Sequence, residues 1–285
     1  MLTQIKGTLI PVGGNEDKGR NENLGIDFIT EGILFHIVRQ CGGKTAKILV
    51  VPTASSIPEE VGQNYLDAFN KLGCNNVSVL DIRKKEQCHD LAFINKLKAC
   101  SGILFSGGDQ SRIVDIISNT PFHDLLMKRY VNEDFVISGT SAGAMSMVSH
   151  MIRGGSSEEC LLKGAVKMRE GMDYISALII DTHFIRRGRF GRLAEAVAAF
   201  PNLIGIGLAE DTGMIIKNGN ECKVIGSGMV IVFDAKNLSH NNHSILYENT
   251  PMTMANLTTH VLANGDQFVL DSRSVEVLPL KAAFD

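Results

Sequence analysis

Short runs of aliphatic and β-branched residues alternate with longer amphipathic stretches over the first two thirds of this chain. That alternation limits the fold more than any other feature. The apolar runs at residues 8–12, 47–52, 76–82, 102–106, 134–138 and 177–181 are almost continuously hydrophobic, the pattern of parallel strands covered by helices on both faces. Between them, residues 26–40, 58–72, 90–99, 111–118 and 122–131 carry helical periodicity. The order predicts a doubly wound α/β sheet. After Arg192 the character changes. One more helix, 193–200, gives way to short strands at 203–208, 212–218, 222–225 and 229–234. Turns rich in Gly and Asn separate them, Asn218-Gly219-Asn220 most clearly, which predicts antiparallel β structure. Residues 236–285 read as a β-rich extension around the polar loop Ser239-His240-Asn241-Asn242-His243. With no repeat, low-complexity tract or linker, the 285 residues read as one domain, an α/β core to about residue 235 followed by that extension.

Composition removes several classes of function. Formal net charge is -3, from 28 basic and 31 acidic residues, so no cationic excess marks a nucleic-acid binder. No run reaches the roughly 20 apolar residues needed to cross a bilayer, and the first residues lack the apolar segment of a signal peptide. Cys41, Cys74, Cys88, Cys100, Cys160 and Cys222 are scattered without a C-x-x-C pair, so neither a zinc nor a redox site is expected. Reduced thiols and no export signal place the expected location in the cytoplasm.

One segment carries chemistry. Phe135-Val136-Ile137-Ser138 ends in Gly139-Thr140-Ser141-Ala142-Gly143, after which Ala144-Met145-Ser146-Met147-Val148 reads as the start of a helix. Ser141 therefore sits on a strand-to-helix turn, the context in which G-x-S-x-G marks a nucleophile. Small neighbours let the backbone turn sharply, and free N–H groups at the helix start can meet a developing oxyanion. The competing structural reading is a glycine-eased turn with Ser141 as an N-cap.

A hydroxyl nucleophile needs a base. His183 ends the apolar run 177–181, at the carboxyl edge of the sheet where open α/β folds place their sites. An orienting acid comes from a third segment: Glu210 and Asp211 both follow the strand at 203–208, and either suits. The order Ser, His, acid differs from that of the α/β-hydrolases. Gly107-Gly108-Asp109-Gln110 forms a second glycine turn, whose N–H groups, with that of Ala142, fit an oxyanion hole. No Gly-Lys-Ser/Thr follows, so it is no phosphate loop. Gly13-Gly14-Asn15-Glu16-Asp17 is a third such turn. Arg186, Arg187, Arg189 and Arg192 crowd the segment after His183, as a solvated helix start or a carboxylate-binding cluster.

Taken together these motifs resemble the cyanophycinases, serine peptidases related to the aspartyl dipeptidases of the peptidase E group. The matches run from Gly13-Gly14-Asn15-Glu16-Asp17-Lys18 through Pro52-Thr53-Ala54-Ser55, Asp181-Thr182-His183-Phe184 and Arg187-Gly188-Arg189-Phe190-Gly191-Arg192 to Glu210-Asp211-Thr212. The resemblance implies a flavodoxin-like sandwich akin to class I glutamine amidotransferases, a homodimer, and no metal or cofactor. It implies hydrolysis of cyanophycin, a poly-aspartate backbone with arginine on each β-carboxyl, to β-Asp-Arg. By the same resemblance Ser141 is the nucleophile, His183 the base and Glu210 the acid, with Gln110, Asp181, Arg187, Arg189 and Arg192 lining the site. Two departures bear on substrate: Thr182 stands where a Gln is expected, and Glu158-Glu159-Cys160 follows Gly154-Gly155-Ser156-Ser157 where a further glycine is expected. A dipeptidase or isoaspartyl peptidase acting on small Asp-containing peptides is the nearest rival. A non-catalytic binding module on the same shell is another.

Overall fold

In the computed structural model, which describes residues 5–19, 26–155 and 159–278, the first half realises the expected alternation. In chain order come β1 (Thr8–Val12), α1 (Ile33–Gln40), β2 (Ile48–Val51), α2 (Pro58–Lys71), β3 (Val77–Val79), α3 (Leu91–Ala99), β4 (Gly102–Phe105), α4 (Gln110–Ile117), α5 (Pro121–Asn132) and β5 (Val136–Thr140). Strands β3, β2, β4, β5 and β1 lie side by side in parallel. The helix starts follow from local chemistry. The side chains of Asp90, Asp109 and Thr120 accept the N–H groups of Ala92, Ser111 and His123. Pro58 and Pro121 occupy first-turn positions where no N–H is missed. Helix α1 is shorter than its apolar pattern, which runs from residue 26. The Asp27 carboxylate takes the N–H groups of Ile29 and Thr30, an Asx turn that competes with the helix.

The second half departs further. After the four-residue α6 (Ala142–Met145) come a hairpin of β6 (His150–Gly154) and β7 (Lys167–Glu170), then β8 (Leu178–Asp181), α7 (Phe190–Ala199), β9 (Ile204–Leu208), β10 (Thr212–Lys217), β11 (Glu221–Gly226), β12 (Val230–Asp234), β13 (Thr258–Leu262), β14 (Gln267–Val269) and β15 (Ser274–Glu276). β10 pairs antiparallel with β1, and β11, β14 and β15 continue outward, giving the order β15-β14-β11-β10-β1-β5-β4-β2-β3. β8, β9, β12 and β13 form a separate sheet. Two expectations are corrected here. The strand at 178–181 does not join the central sheet, and β9 pairs with it in parallel rather than antiparallel. The cause is α7, which carries the chain back along the sheet as parallel connections require. The last strands divide between the two sheets: β13 edges the small one, and β14 and β15 edge the large one.

The side-chain period of two explains how this flavodoxin-like sandwich packs. Leu49, Val51, Ile103, Phe105 and Ile137 meet the buried faces of α3, α4 and α5, whereas Ile48, Val50, Leu104 and Val136 meet those of α1 and α2. The small sheet repeats the rule. Leu178, Ile180, Ile206 and Val232 face the first of these clusters, while Ile179, Ile231 and Phe233 pack on Leu193 and Val197 of α7. Both sheets thus bring carboxyl-terminal strand ends to one seam.

That seam closes on glycine. A Cβ at Gly139 would stand 2.6 Å from the carbonyl carbon of Gly143, and one at Gly143 would run into the Phe105 carbonyl. Backbone cannot step aside as a side-chain tip can. Gly139→Ala is therefore expected to destabilise the protein by about 1–3 kcal/mol in urea unfolding.

Candidate active site

Ser141 follows β5 directly and adopts φ 52°, ψ -110°, a conformation L residues rarely take. Its N–H donates to the carbonyl of Val12, at the end of β1, at 2.9 Å. The next N–H on the turn belongs to Ala142, the first residue of α6. Ser141 Oγ lies 2.9 Å from His183 Nε2. His183 comes just after β8, also at positive φ, and its N–H donates to Gly13 O at 2.8 Å. Gly14 is required beside it, because a Cβ there would stand 2.5 Å from the imidazole Cε1. Glu210, after β9, closes the series: its Oε1 accepts from His183 Nδ1 at 2.8 Å and its Oε2 from Arg186 Nη1 at 3.0 Å. Asp211, the other carboxylate considered, turns away. It accepts the N–H of Asp17 at 3.0 Å and the hydroxyl of Ser227 at 2.6 Å. Hydroxyl, imidazole and carboxylate thus stand in one hydrogen-bonded line at the sheet edge.

The charges fit the geometry. Burial lowers the pKa of His183; the Glu210 hydrogen bond opposes this, and the Arg187 and Arg189 guanidiniums add to it. Burial works against ionisation of Glu210, but hydrogen bonds from His183 and Arg186 hold its carboxyl below the ordinary range. An ionised carboxylate only accepts, so the His183 proton sits on Nδ1 and the lone pair of Nε2 faces Ser141. That arrangement can take a proton from a hydroxyl as it attacks. It has the geometry of a serine hydrolase site.

A cleft of about 470 Å³ opens beside it, lined among others by Gly107, Gly108, Lys18, Tyr65 and Arg187. Gly108, at φ 142°, lies over Ala54, where a Cβ would strike the Ala54 carbonyl. Of the three arginines expected to bind substrate, Arg187 lines this cleft. The other two face inward. Arg192 donates to both oxygens of the fully buried Asp181, Nε at 2.7 Å, and to Gly155 O at 3.3 Å. Arg189 donates to Asp181 at 3.1 Å and to Thr182 O at 2.7 Å. Asp181 is thus the counterion of two guanidiniums, without which their burial would be prohibitive. Gln110 spends its amide on the carbonyls of Ile152 and Arg153, both at 3.0 Å, tying α4 to the β6–β7 hairpin. Thr182 is buried, and Glu159 is exposed. Of the rest of the departure, Glu158 lies outside the described residues and Cys160 is half-buried.

Glu16, Lys18, Tyr65 and Thr140, to which the sequence alone assigns no role, meet at the cleft floor. The available signal is an acidic residue two positions after Gly13-Gly14 at a strand's carboxyl end. Arg186 was seen as part of a cluster but not as a partner of Glu210. Among the described residues no group of three His, Cys, Asp or Glu side chains is placed to hold a metal, and no helix is long and apolar enough to cross a membrane.

Residues 28–224 match the model of peptidase family S51. The cyanophycinase of Trichormus variabilis is 37% identical over 270 residues, covering 95% of this chain and 88% of its own. That of Geminocystis herdmanii is 32% identical over 268 residues, covering 94% and 95%. Among solved structures, a peptidase from an acI-B1 Actinobacterium superposes with a TM-score of 0.60 over 90% of this chain and 98% of that one, at 21% identity, a likeness of fold. The chain belongs to peptidase family S51 and is a serine-type peptidase.

With its pKa lowered, His183 is neutral above a value under the ordinary imidazole range, so kcat/KM is expected to fall only as pH drops through that value. Arg187 contributes to the lowering. Arg187→Gln should raise the His183 pKa and move the acid limb of the kcat/KM profile to higher pH. A limb that stays in place would separate the two groups.

Proposed function

We propose that this peptidase hydrolyses cyanophycin to β-Asp-Arg dipeptides from a chain end, with Ser141 as nucleophile, His183 as general base and Glu210 as orienting acid. The observation that carries the mechanism is the contact series from Ser141 Oγ through His183 to Glu210 Oε1, at 2.9 and 2.8 Å. The substrate is supported by the likeness to cyanophycinases over nearly the whole chain. Lys18 and Arg187 in the cleft suit a substrate rich in carboxylates.

The steps follow from the groups present. Ser141 Oγ attacks the backbone carbonyl carbon of the aspartate chain while His183 Nε2 takes its proton. The carbonyl oxygen becomes an oxyanion between the N–H groups of Gly108 and Ala142, and Glu210 stabilises the imidazolium. The C–N bond breaks as His183 returns the proton to the departing amine, leaving an ester on Ser141. Water then loses a proton to His183, adds to the ester, and releases the carboxylic acid with the serine restored. Arg186 keeps the second oxygen of Glu210 occupied, which fixes the carboxylate plane.

Incubation with purified cyanophycin followed by mass spectrometry tests this reading. Wild-type enzyme should release β-Asp-Arg, and Ser141→Ala should lower the rate by about 10³-fold or more. Cleavage of short Asp-containing peptides without clearance of the polymer would instead support the dipeptidase reading. No β-Asp-Arg from either substrate would contradict the proposal.

A further inference from the structure

The mechanism leaves a charged group at the cleft floor without a task. The loop at residues 13–18 leaves β1 between nucleophile and base and is fixed to the elements carrying both. The carbonyls of Gly13 and Gly14 accept the N–H groups of His183 and Asp211 at 2.8 and 2.9 Å. The Asp211 carboxylate in turn accepts the N–H of Asp17 at 3.0 Å. Glu16 then turns inward, its side chain 2% exposed. Oε2 accepts the hydroxyl of Thr140, the residue before Ser141, at 2.5 Å. Oε1 accepts the Tyr65 hydroxyl and, at 3.0 Å, the ammonium of Lys18. Burial opposes the charge on Glu16, but the Lys18 ammonium and hydrogen bonds from Thr140, Tyr65 and Lys18 hold its carboxyl below the usual range.

Lys18 is the end of this network that reaches solvent, its side chain 22% exposed. Nζ also donates to the Glu16 carbonyl at 3.2 Å and lies 4.9 Å from the centroid of the Tyr65 ring. An ammonium carries three N–H groups. Among the described residues Glu16 takes two, so one is left for a ligand in the cleft that Lys18 lines with Ser141 and Arg187. A lysine held by three contacts loses little further freedom on binding, unlike a free surface lysine. Glu16 offsets the charge of Lys18, so the net positive charge of the cleft lining is that of Arg187, and Lys18 adds a directed N–H beside it.

We propose that Lys18, held in place by Glu16, is a specificity-determining residue that binds a substrate carboxylate adjoining the scissile amide. This rests on the reading of Ser141 as the nucleophile, and not on cyanophycin as the polymer. The class of substrate it selects is acidic peptide with a free carboxylate beside the bond to be cut. A neutral peptide would desolvate the Lys18 N–H that Glu16 does not take and offer it no anionic acceptor, which counts against it.

The test measures the rate at which a fluorophosphonate modifies Ser141, with and without N-acetyl-aspartate, as a ratio for each variant. N-acetyl-aspartate should slow labelling of the wild-type enzyme, and its neutral diamide should not. Lys18→Met should raise the concentration needed for protection about tenfold or more, whereas Lys18→Arg should keep most of it. Should the Met variant fold poorly, as a thermal melt would reveal, Lys18→Gln replaces it. Equal protection of wild type and Lys18→Met, protection by the diamide, or no protection of wild type would each overturn the proposal. The cyanophycin assay run alongside separates the two claims. Lys18-dependent protection without β-Asp-Arg release removes the polymer and keeps the lysine, while β-Asp-Arg release without it removes the lysine alone.

Discussion

The structure turns on one strained residue. Ser141 at φ 52° sits where a side chain costs on the order of 1–3 kcal/mol, and its surroundings must over-determine it. Three features do so: the N–H bond to Val12 O, the close approach of Gly139 to Gly143, and the seat of Gly143 against Phe105. Each is backbone against backbone, so each demands glycine or the end of a neighbouring strand. The parallel order β4-β5-β1 supplies those ends at one edge. The strain is what lifts Oγ off the sheet toward His183.

Around that turn, buried charge is always answered locally. Asp181 beneath His183 is shared by Arg189 and Arg192, and Glu16 beneath Ser141 is shared by Thr140, Tyr65 and Lys18. Burial of either carboxylate alone would be costly; paired, each becomes a rigid support. Arg189 reaches the Thr182 carbonyl, next to His183, and Glu16 reaches Thr140, next to Ser141. Ser141 and His183 are therefore each braced one residue upstream. Burial and the Arg187 and Arg189 guanidiniums lower the pKa of His183 against the pull of Glu210.

Much of this was legible in the sequence wherever the signal was local. The apolar run before Ser141 and the small residues after it define a strand-to-helix turn without any tertiary information. His183 and the pair Glu210-Asp211 were legible because each follows an apolar run, and such ends gather in an open α/β sheet, but the choice between the two acids came only from the family resemblance. Strand partnership was not. Nothing local to residues 178–181 says that they leave the central sheet to pair with 204–208, since pairing is decided by α7 and by which faces remain to be buried. Arg189 and Arg192 read as a charge run on a helix start, because their counterion Asp181 looks like one more polar strand end. Glu16 is illegible for a similar reason. An acid after a glycine turn is ordinarily solvated, and only the later segments carrying Tyr65 and Thr140 enclose it.

The central claim is that His183 presents a bare Nε2 to Ser141 because Glu210 holds the proton on Nδ1. Imidazole ¹⁵N and ¹H NMR of the native enzyme near neutral pH measures that directly. The account predicts a neutral ring with the proton on Nδ1, shifted far downfield by the carboxylate, and an unprotonated Nε2. A neutral ring with the proton on Nε2, or a doubly protonated ring at that pH, would contradict it.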